Sequence, residues 1–288
     1  MKVSVSSYSF MQYVWAGKMT QFEAVAKAKE LGFDAIEFVE IDGGEDYALQ
    51  VENAKKIRAE ADRVGIEINA YAVGACLCRG NAEAEAAEVE RLKRQLDIAK
   101  ILGAKVMRHD CYGWLEKAGV MRSFDSMLPT VAANARLVTE YGQSLGIKTC
   151  TENHGIIAQD SDRMERLFNA VGHDNYGLLV DMGNFICVDE DPATAVSRVA
   201  PYAIHAHIKD MLVRDEPGEF IRSATRGGRY FGGTVVGEGV IPIKRCLRIL
   251  KQAGYDDFVS LEYEGMEDCI SAIARGLKNI RQYLSELE

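Results

Sequence analysis

Short apolar runs alternate with longer amphipathic stretches along the whole chain. The runs over 3–10, 35–40, 66–73, 105–111, 147–154, 177–181, 204–209 and 258–264 are largely free of charge until their last residues, which predicts buried strands. Helix signals fill the intervals. Thr20-Gln-Phe-Glu23 is a capping box, and Gly32 closes the helix it opens. A second helix is predicted over 47–64. Over 83–102, Val89, Leu92, Leu96, Ala99 and Leu102 recur at three and four, the spacing of a helix lying on an apolar surface. Residues 123–145 and 160–171 continue the alternation, and Asp191-Pro192 reads as an N-cap followed by Pro at the first helical position. A helix over 241–253 precedes the last strand. Ile270, Ile273, Leu277, Ile280 and Leu284 then stripe a final helix.

Eight strand-then-helix units with no intervening linker predict an α/β fold, a (β/α)8 TIM barrel, as a single domain over 1–288. The rival is a doubly wound open sheet, but no Gly-x-Gly-x-x-Gly follows the first strand. The connection 211–239 is longer than the others, rich in glycine, and carries Arg214, Arg222, Arg226 and Arg229. Long loops without structure of their own are usually functional, so it is read as an active-site lid, with Arg229 among the groups placed to reach substrate. The alternative is a surface excursion or a contact between subunits of a homo-oligomer.

Composition narrows the class. Hydrophobic residues at 48% and charged residues at 27% are those of a globular chain. A net charge of −9 repels a phosphate backbone, so no nucleic-acid partner is expected. No apolar run reaches the roughly 18 residues of a membrane span, and Met1-Lys2-Val3 opens into a strand pattern rather than a signal peptide. A cytoplasmic protein without a membrane partner is therefore expected. The seven cysteines are odd in number and scattered, which favours reduced core thiols; Cys76 and Cys78 have no second pair to complete a zinc site.

The chemistry gathers at strand ends, where a barrel keeps its reactive groups. Strand five ends in Glu152, strand six in Asp181, strand seven in His207 and strand eight in Glu262. Each alone is explained as a solvated strand end or a hydrogen-bonded core group. Together they would repel one another without a cation, and an oxygen-rich nest with one nitrogen suits one divalent ion, Mn²⁺ first, with Mg²⁺, Co²⁺ or Zn²⁺ as alternatives. His205, one layer below His207, reads as a core histidine. His173 reads as a loop residue, and a solvated loop edge accounts for Glu37 and Glu40 as readily as any function.

The set Glu152-Asn-His154, Asp181-Met-Gly-Asn184, His207-Ile-Lys-Asp210, Gly237-Glu-Gly239 and Glu262 resembles the xylose isomerase-like TIM-barrel superfamily (sugar phosphate isomerase/epimerase family), which includes the endonuclease IV group. The resemblance implies a metal held by Glu152, Asp181, His207 and Glu262. The two glutamates would then exchange protons with a carbon beside a carbonyl through a metal-stabilised enediolate. It also implies substrate contacts from His109, while His154, Asn184 and Lys209 are positioned to bind a sugar oxygen; Lys209 equally suits neutralising a carboxylate. The endonuclease group places an additional histidine where Asn184 stands. The ketose 3-epimerases have a histidine there too, and a glutamate where Ala158 stands, which argues against free ketohexoses. The expected function is a divalent-metal-dependent isomerase or epimerase of a sugar or keto-sugar derivative, with a small-molecule carbohydrate as its partner. A lyase or dehydratase acting on a keto-sugar, keto-glycoside or inosose is the runner-up. A sugar-binding or complex subunit without catalysis is the third reading.

Overall fold

The computed structural model describes residues 1–112, 123–219, 221 and 223–287. Arg222, named above with the lid arginines, lies outside the described residues. The strands are β1 (Lys2–Ser6), β2 (Ala35–Val39), β3 (Glu67–Val73), β4 (Val106–His109), β5 (Lys148–Glu152), β6 (Tyr176–Asp181), β7 (Ala203–Ile208), β8 (Asp210–Arg214), β9 (Ser223–Ala224), β10 (Tyr230–Thr234) and β11 (Phe258–Leu261). The helices are α1 (Met11–Trp15), α2 (Gln21–Leu31), α3 (Tyr47–Val64), α4 (Ala82–Leu102), α5 (Phe124–Leu145), α6 (Ser161–Val171), α7 (Pro192–Val199), α8 (Ile243–Gln252) and α9 (Cys269–Ser285).

Eight strands close in the order β1-β11-β7-β6-β5-β4-β3-β2, all parallel, so the predicted (β/α)8 barrel is the fold. Strand alternation separates two environments. Val3, Val5, Ile36, Phe38 and Met107 are buried on the outer face beneath the helices. The inner face is polar: Ser4 and Ser260 share a 2.5 Å hydrogen bond, and Asn69 Nδ2 donates across the lumen to Ser4 Oγ at 3.2 Å. Among the described residues, no helix is long and apolar enough to cross a membrane, and no cysteine is joined in a disulfide.

Several predicted strands end earlier than the apolar runs suggest. β1 stops at Ser6 because its hydroxyl accepts from Tyr8 N at 3.3 Å and starts a 3-10 turn over Ser7–Phe10. β5 stops at Glu152, and His154 instead bridges Ala158. The capping box at Thr20 forms, with Glu23 N on Thr20 Oγ1 at 3.2 Å and Thr20 N on Glu23 Oε2 at 2.8 Å.

The connection after β7 corrects the expectation of a loop without structure of its own. It forms a three-stranded sheet, β8-β10-β9, with Asp210 opposite Thr234 and Tyr230 opposite Arg214. Glycine lets it sit close to the barrel. A Cβ at Gly233 would lie 2.6 Å from the Glu264 backbone, so this side of the sheet rests directly on the end of the eighth barrel strand.

Candidate metal centre

Register brings the four strand-end groups together. Asp181 is paired with His207 across β6 and β7, and Glu152 with Leu179 across β5 and β6. Asn153 locks these ends: its Nδ2 donates to Asp181 O at 2.9 Å, and its Oδ1 accepts from Asp181 N at 2.8 Å. Glu262 follows β11, its N–H donating to Ile208 O at 3.0 Å. The Nδ1 of His207 lies 3.8 Å from each of Glu152 Oε1, Asp181 Oδ2 and Glu262 Oε2. One donor atom from each of the four falls within 4.8 Å of the others, and all four residues are buried.

The local sequence explains which atoms are left open. The N–H groups of Gly183 and Asn184 both donate to Asp181 Oδ1, at 2.8 and 2.9 Å. Asp181 Oδ2 and His207 Nδ1 are buried without a hydrogen-bond partner among the described residues. Two orphaned atoms of ligand type, beside two further carboxylates, fit a cation.

Two basic side chains offset part of the negative charge. Lys209 Nζ lies 2.5 Å from Glu262 Oε2, 3.2 Å from Asp181 Oδ2 and 3.3 Å from Glu264 Oε1. The second contact is close enough for ion pairing, but its geometry is not that of a hydrogen bond. A Cβ at Gly183 would collide with the Lys209 stem, so the glycine of Asp181-Met-Gly-Asn184 makes room for it. Burial pushes the Asp181 carboxyl up to about 7; Lys209 opposes this, while Glu152 and Glu262 add to it. Burial also works against ionised Glu262, yet Lys209 and His207 hold its carboxyl well below the usual range.

The other basic group is Arg108, which sequence reasoning passed over in favour of its neighbour His109. Arg108 Nη2 lies 2.6 Å from Glu152 Oε2 and 2.8 Å from Asp110 Oδ1, an ion pair with each. The signal was an arginine inside an apolar strand, two residues before Asp110. His109 sits on the other face of β4, fully buried, with Nδ1 on Asp110 O at 2.9 Å and Glu88 of α4 among the charges reaching it. Burial lowers the pKa of its ring, and it is not brought to the acidic cluster.

The remaining candidates divide. Asn184 Nδ2 donates to Glu152 Oε1 at 2.9 Å, so this amide orients a carboxylate. His154 has a half-exposed side chain whose Nδ1 lies 3.1 Å from Asp110 Oδ1, linking it to Glu152 through Asp110 and Arg108. Burial disfavours its charged ring, but the hydrogen bond and charge of Asp110 prevail and raise its pKa. Arg229 pairs with Asp215 at 3.1 Å on the exposed sheet and is not brought to the cluster.

Glu37 is a correction. Rather than edging a solvated loop, it is fully buried in the lumen and bonded to both His205 and His207, because β2 turns this position inward. The motif Gly237-Glu-Gly239 also gains a reason. The Gly237 and Gly239 N–H groups both donate to Asp210 Oδ2 at 2.9 Å, and Ile241 N to Oδ1 at 3.1 Å. A Cβ at Gly239 would strike that carboxylate and lie 2.5 Å from Met211 O. The Asp210 that ends His207-Ile-Lys-Asp210 therefore anchors the return from the small sheet.

Fold and site together define a (β/α)8 protein with a carboxylate-rich candidate metal centre at the C-terminal ends of its strands. The chain belongs to the xylose isomerase-like TIM barrel family, whose model matches residues 25–285. Among curated relatives, an inosose dehydratase of Lacticaseibacillus casei is 26% identical over 179 residues, covering 58% of this chain and 60% of that protein. The chain thus spans about three fifths of that relative's length. Solved structures share the fold: the IOLI protein with a bound zinc atom has a TM-score of 0.77 at 17% identity, covering 100% of this chain and 99% of the other. An L-ribulose 3-epimerase has a TM-score of 0.75 at 18% identity, covering 99% and 95%.

Proposed function

We propose that this chain is a divalent-metal-dependent isomerase or epimerase of a sugar or keto-sugar derivative. Glu152, Asp181, His207 and Glu262 are the ligands, and Glu152 and Glu262 the proton-transfer groups. The observation that carries the reading is the pair of orphaned acceptors, Asp181 Oδ2 and His207 Nδ1, set between two glutamates that enter from β5 and β11 at opposite ends of a four-strand arc. Bound there, a divalent ion of the Mn²⁺, Mg²⁺, Co²⁺ or Zn²⁺ kind supplies polarisation of a substrate carbonyl. One glutamate takes the proton from the adjacent carbon. Return of a proton to the opposite face inverts that carbon, and return to the neighbouring carbon exchanges aldose and ketose. Lys209, beside Glu262 and Asp181, is the group available to hold negative charge on a substrate oxygen. The β8-β10-β9 sheet is the lid in this reading.

One observation favours the lyase as a second reading. The half-exposed imidazole of His154, oriented by Asp110, is suited to protonating a departing hydroxyl. The similarity to an inosose dehydratase points the same way. Incubation with ketoses, keto-glycosides and inososes in D2O with Mn²⁺ tests both. Deuterium wash-in beside the carbonyl is expected, with loss of wash-in for Glu152→Gln and for Glu262→Gln. Conserved product mass supports the isomerase, loss of water or an aglycone the lyase, and neither wash-in nor elimination across the panel defeats both.

A further inference from the structure

His207 can offer a lone pair from only one ring nitrogen while the other carries a proton. Its Nε2 lies 2.9 and 3.0 Å from the two oxygens of Glu37, and its Nδ1 faces the three carboxylates. A carboxylate only accepts, so Nε2 carries the hydrogen and Nδ1 is the lone-pair donor. Glu37 is itself held from below. His205 Nε2 donates to its Oε2, as does Ser260 Oγ at 3.1 Å, and Ser260 is tied in turn to Ser4. The rings of His205 and His207 stand 5.4 Å apart at 80°, so both reach the one carboxylate without stacking.

A buried carboxylate is a poor way to stabilise a barrel floor, since an apolar residue of similar volume often does as well or better. Its position directly beneath a ligand gives the charge another use. We infer that Glu37 is a positioning residue that fixes His207 with Nδ1 towards the divalent ion, and that His205 and Ser260 hold Glu37 in that geometry. The inference rests on the metal reading of the four-ligand site. Removal of outer partners of this kind typically lowers metal affinity about 10- to 100-fold.

The experiment is Co²⁺ titration of the full chain against a competing chelator, with visible absorption recorded, for wild type, Glu37→Gln and His205→Gln. Wild type is expected to bind one Co²⁺. Glu37→Gln should bind about 10- to 100-fold more weakly with a shifted d–d spectrum, while the metal-free melting temperature remains close to that of wild type. If Glu37→Gln does not fold, His205→Gln carries the test, with a weaker loss in the same direction. Wild-type affinity and an unchanged spectrum in the folded variants overturn the positioning role alone. A second Co²⁺ per chain that disappears in Glu37→Gln also overturns it, because Glu37, His205 and His207 would then be a metal site themselves. Wild type binding no Co²⁺ defeats the metal reading and this inference with it.

Discussion

Arg108 and Glu152 face each other inside the barrel at 2.6 Å, a buried arginine on β4 against a strand-end carboxylate on β5. The same guanidinium reaches Asp110 at 2.8 Å, so one cation serves two acids. Burial favours the neutral form of Arg108, but Asp110 and Glu152 keep it charged. Arg108→Met should therefore cost about 3–5 kcal/mol, the usual penalty for stranding a buried charge. Arg108→Lys should fall between, because an ammonium can replace the one nitrogen, Nη2, that reaches both acids but not the Nη1 hydrogen bond to Val73 O. Urea unfolding of the metal-free protein measures both, and a loss below about 1 kcal/mol for Arg108→Met would contradict this account of the pair.

Asp181 divides its two oxygens between different tasks. Oδ1 is occupied by the Gly183 and Asn184 amides, and Oδ2, buried without a hydrogen bond, is the atom the proposed metal would take. Asp181→Asn can keep the first task and not the second. Its neutral amide also relieves a buried charge among Glu152 and Glu262, while Lys209 retains Glu262 and Glu264. The metal-free variant should gain roughly 1–3 kcal/mol and lose Mn²⁺ affinity by more than the about 10- to 100-fold typical of losing a ligand's outer partner. Opposite signs for the two quantities, from melting curves with and without Mn²⁺, are the expected result. Loss of both would make Asp181 a structural residue.

The barrel was legible because buried parallel strands and amphipathic helices leave different periodicities, and eight repeats of the pair admit few arrangements. Glu152, Asp181, His207 and Glu262 were legible for a related reason: each ends an apolar run, where a polar residue has to be explained. Arg108 and Glu37 were not, because both lie within their strands, and strand alternation alone does not say which face is the lumen. Only their partners, Glu152 on the adjacent strand for one and His205 with His207 for the other, reveal that these positions point inward. The small sheet escaped notice because β9 is two residues long and β10 contains two adjacent glycines, which blunt the alternation that marks a strand.

Acid stability should depend on Glu88. Its buried side chain accepts from Arg91 Nε and Nη2 at 2.9 Å and from Cys76 N at 3.0 Å, with Arg79 3.3 Å away. Burial pushes the carboxyl up, but the Arg91 hydrogen bonds and charge, with the Cys76 amide and Arg79, hold it below its ordinary 4.5. A folded-state pKa below the unfolded one means that the stabilisation is fully present above the unfolded value and is lost as pH falls through the folded value. Melting temperature should thus drop below about pH 4.5, and Glu88→Gln should be less stable at pH 7 but lose less on acidification. An equal acid-induced drop in both proteins would remove Glu88 from the explanation.

The turn between β9 and β10 is latched to the loops that follow β5 and β6. Thr225 Oγ1 and Gly227 N donate to Asp189 at 2.8 and 2.5 Å, and Arg226 N donates to Cys187 O at 2.8 Å. The Arg226 side chain reaches Asp160 at 3.0 Å and also Ile156 O. Asp189 closes the 3-10 turn Asn184–Val188 in a left-handed backbone (φ 58°), a conformation aspartate adopts more readily than most residues, which presents its carboxylate to the turn between β9 and β10. These bonds hold the small sheet only at its tip, so removing them should free it without disturbing the barrel. Asp189→Ala and Arg226→Ala should each leave the melting temperature nearly unchanged. Each should speed limited proteolysis within 215–229 by about 5- to 30-fold, the population change expected for roughly 1–2 kcal/mol of local opening. Cleavage that stays at the wild-type rate in both variants would show that the sheet is held by its packing on Glu264 and Gly265 and not by the latch.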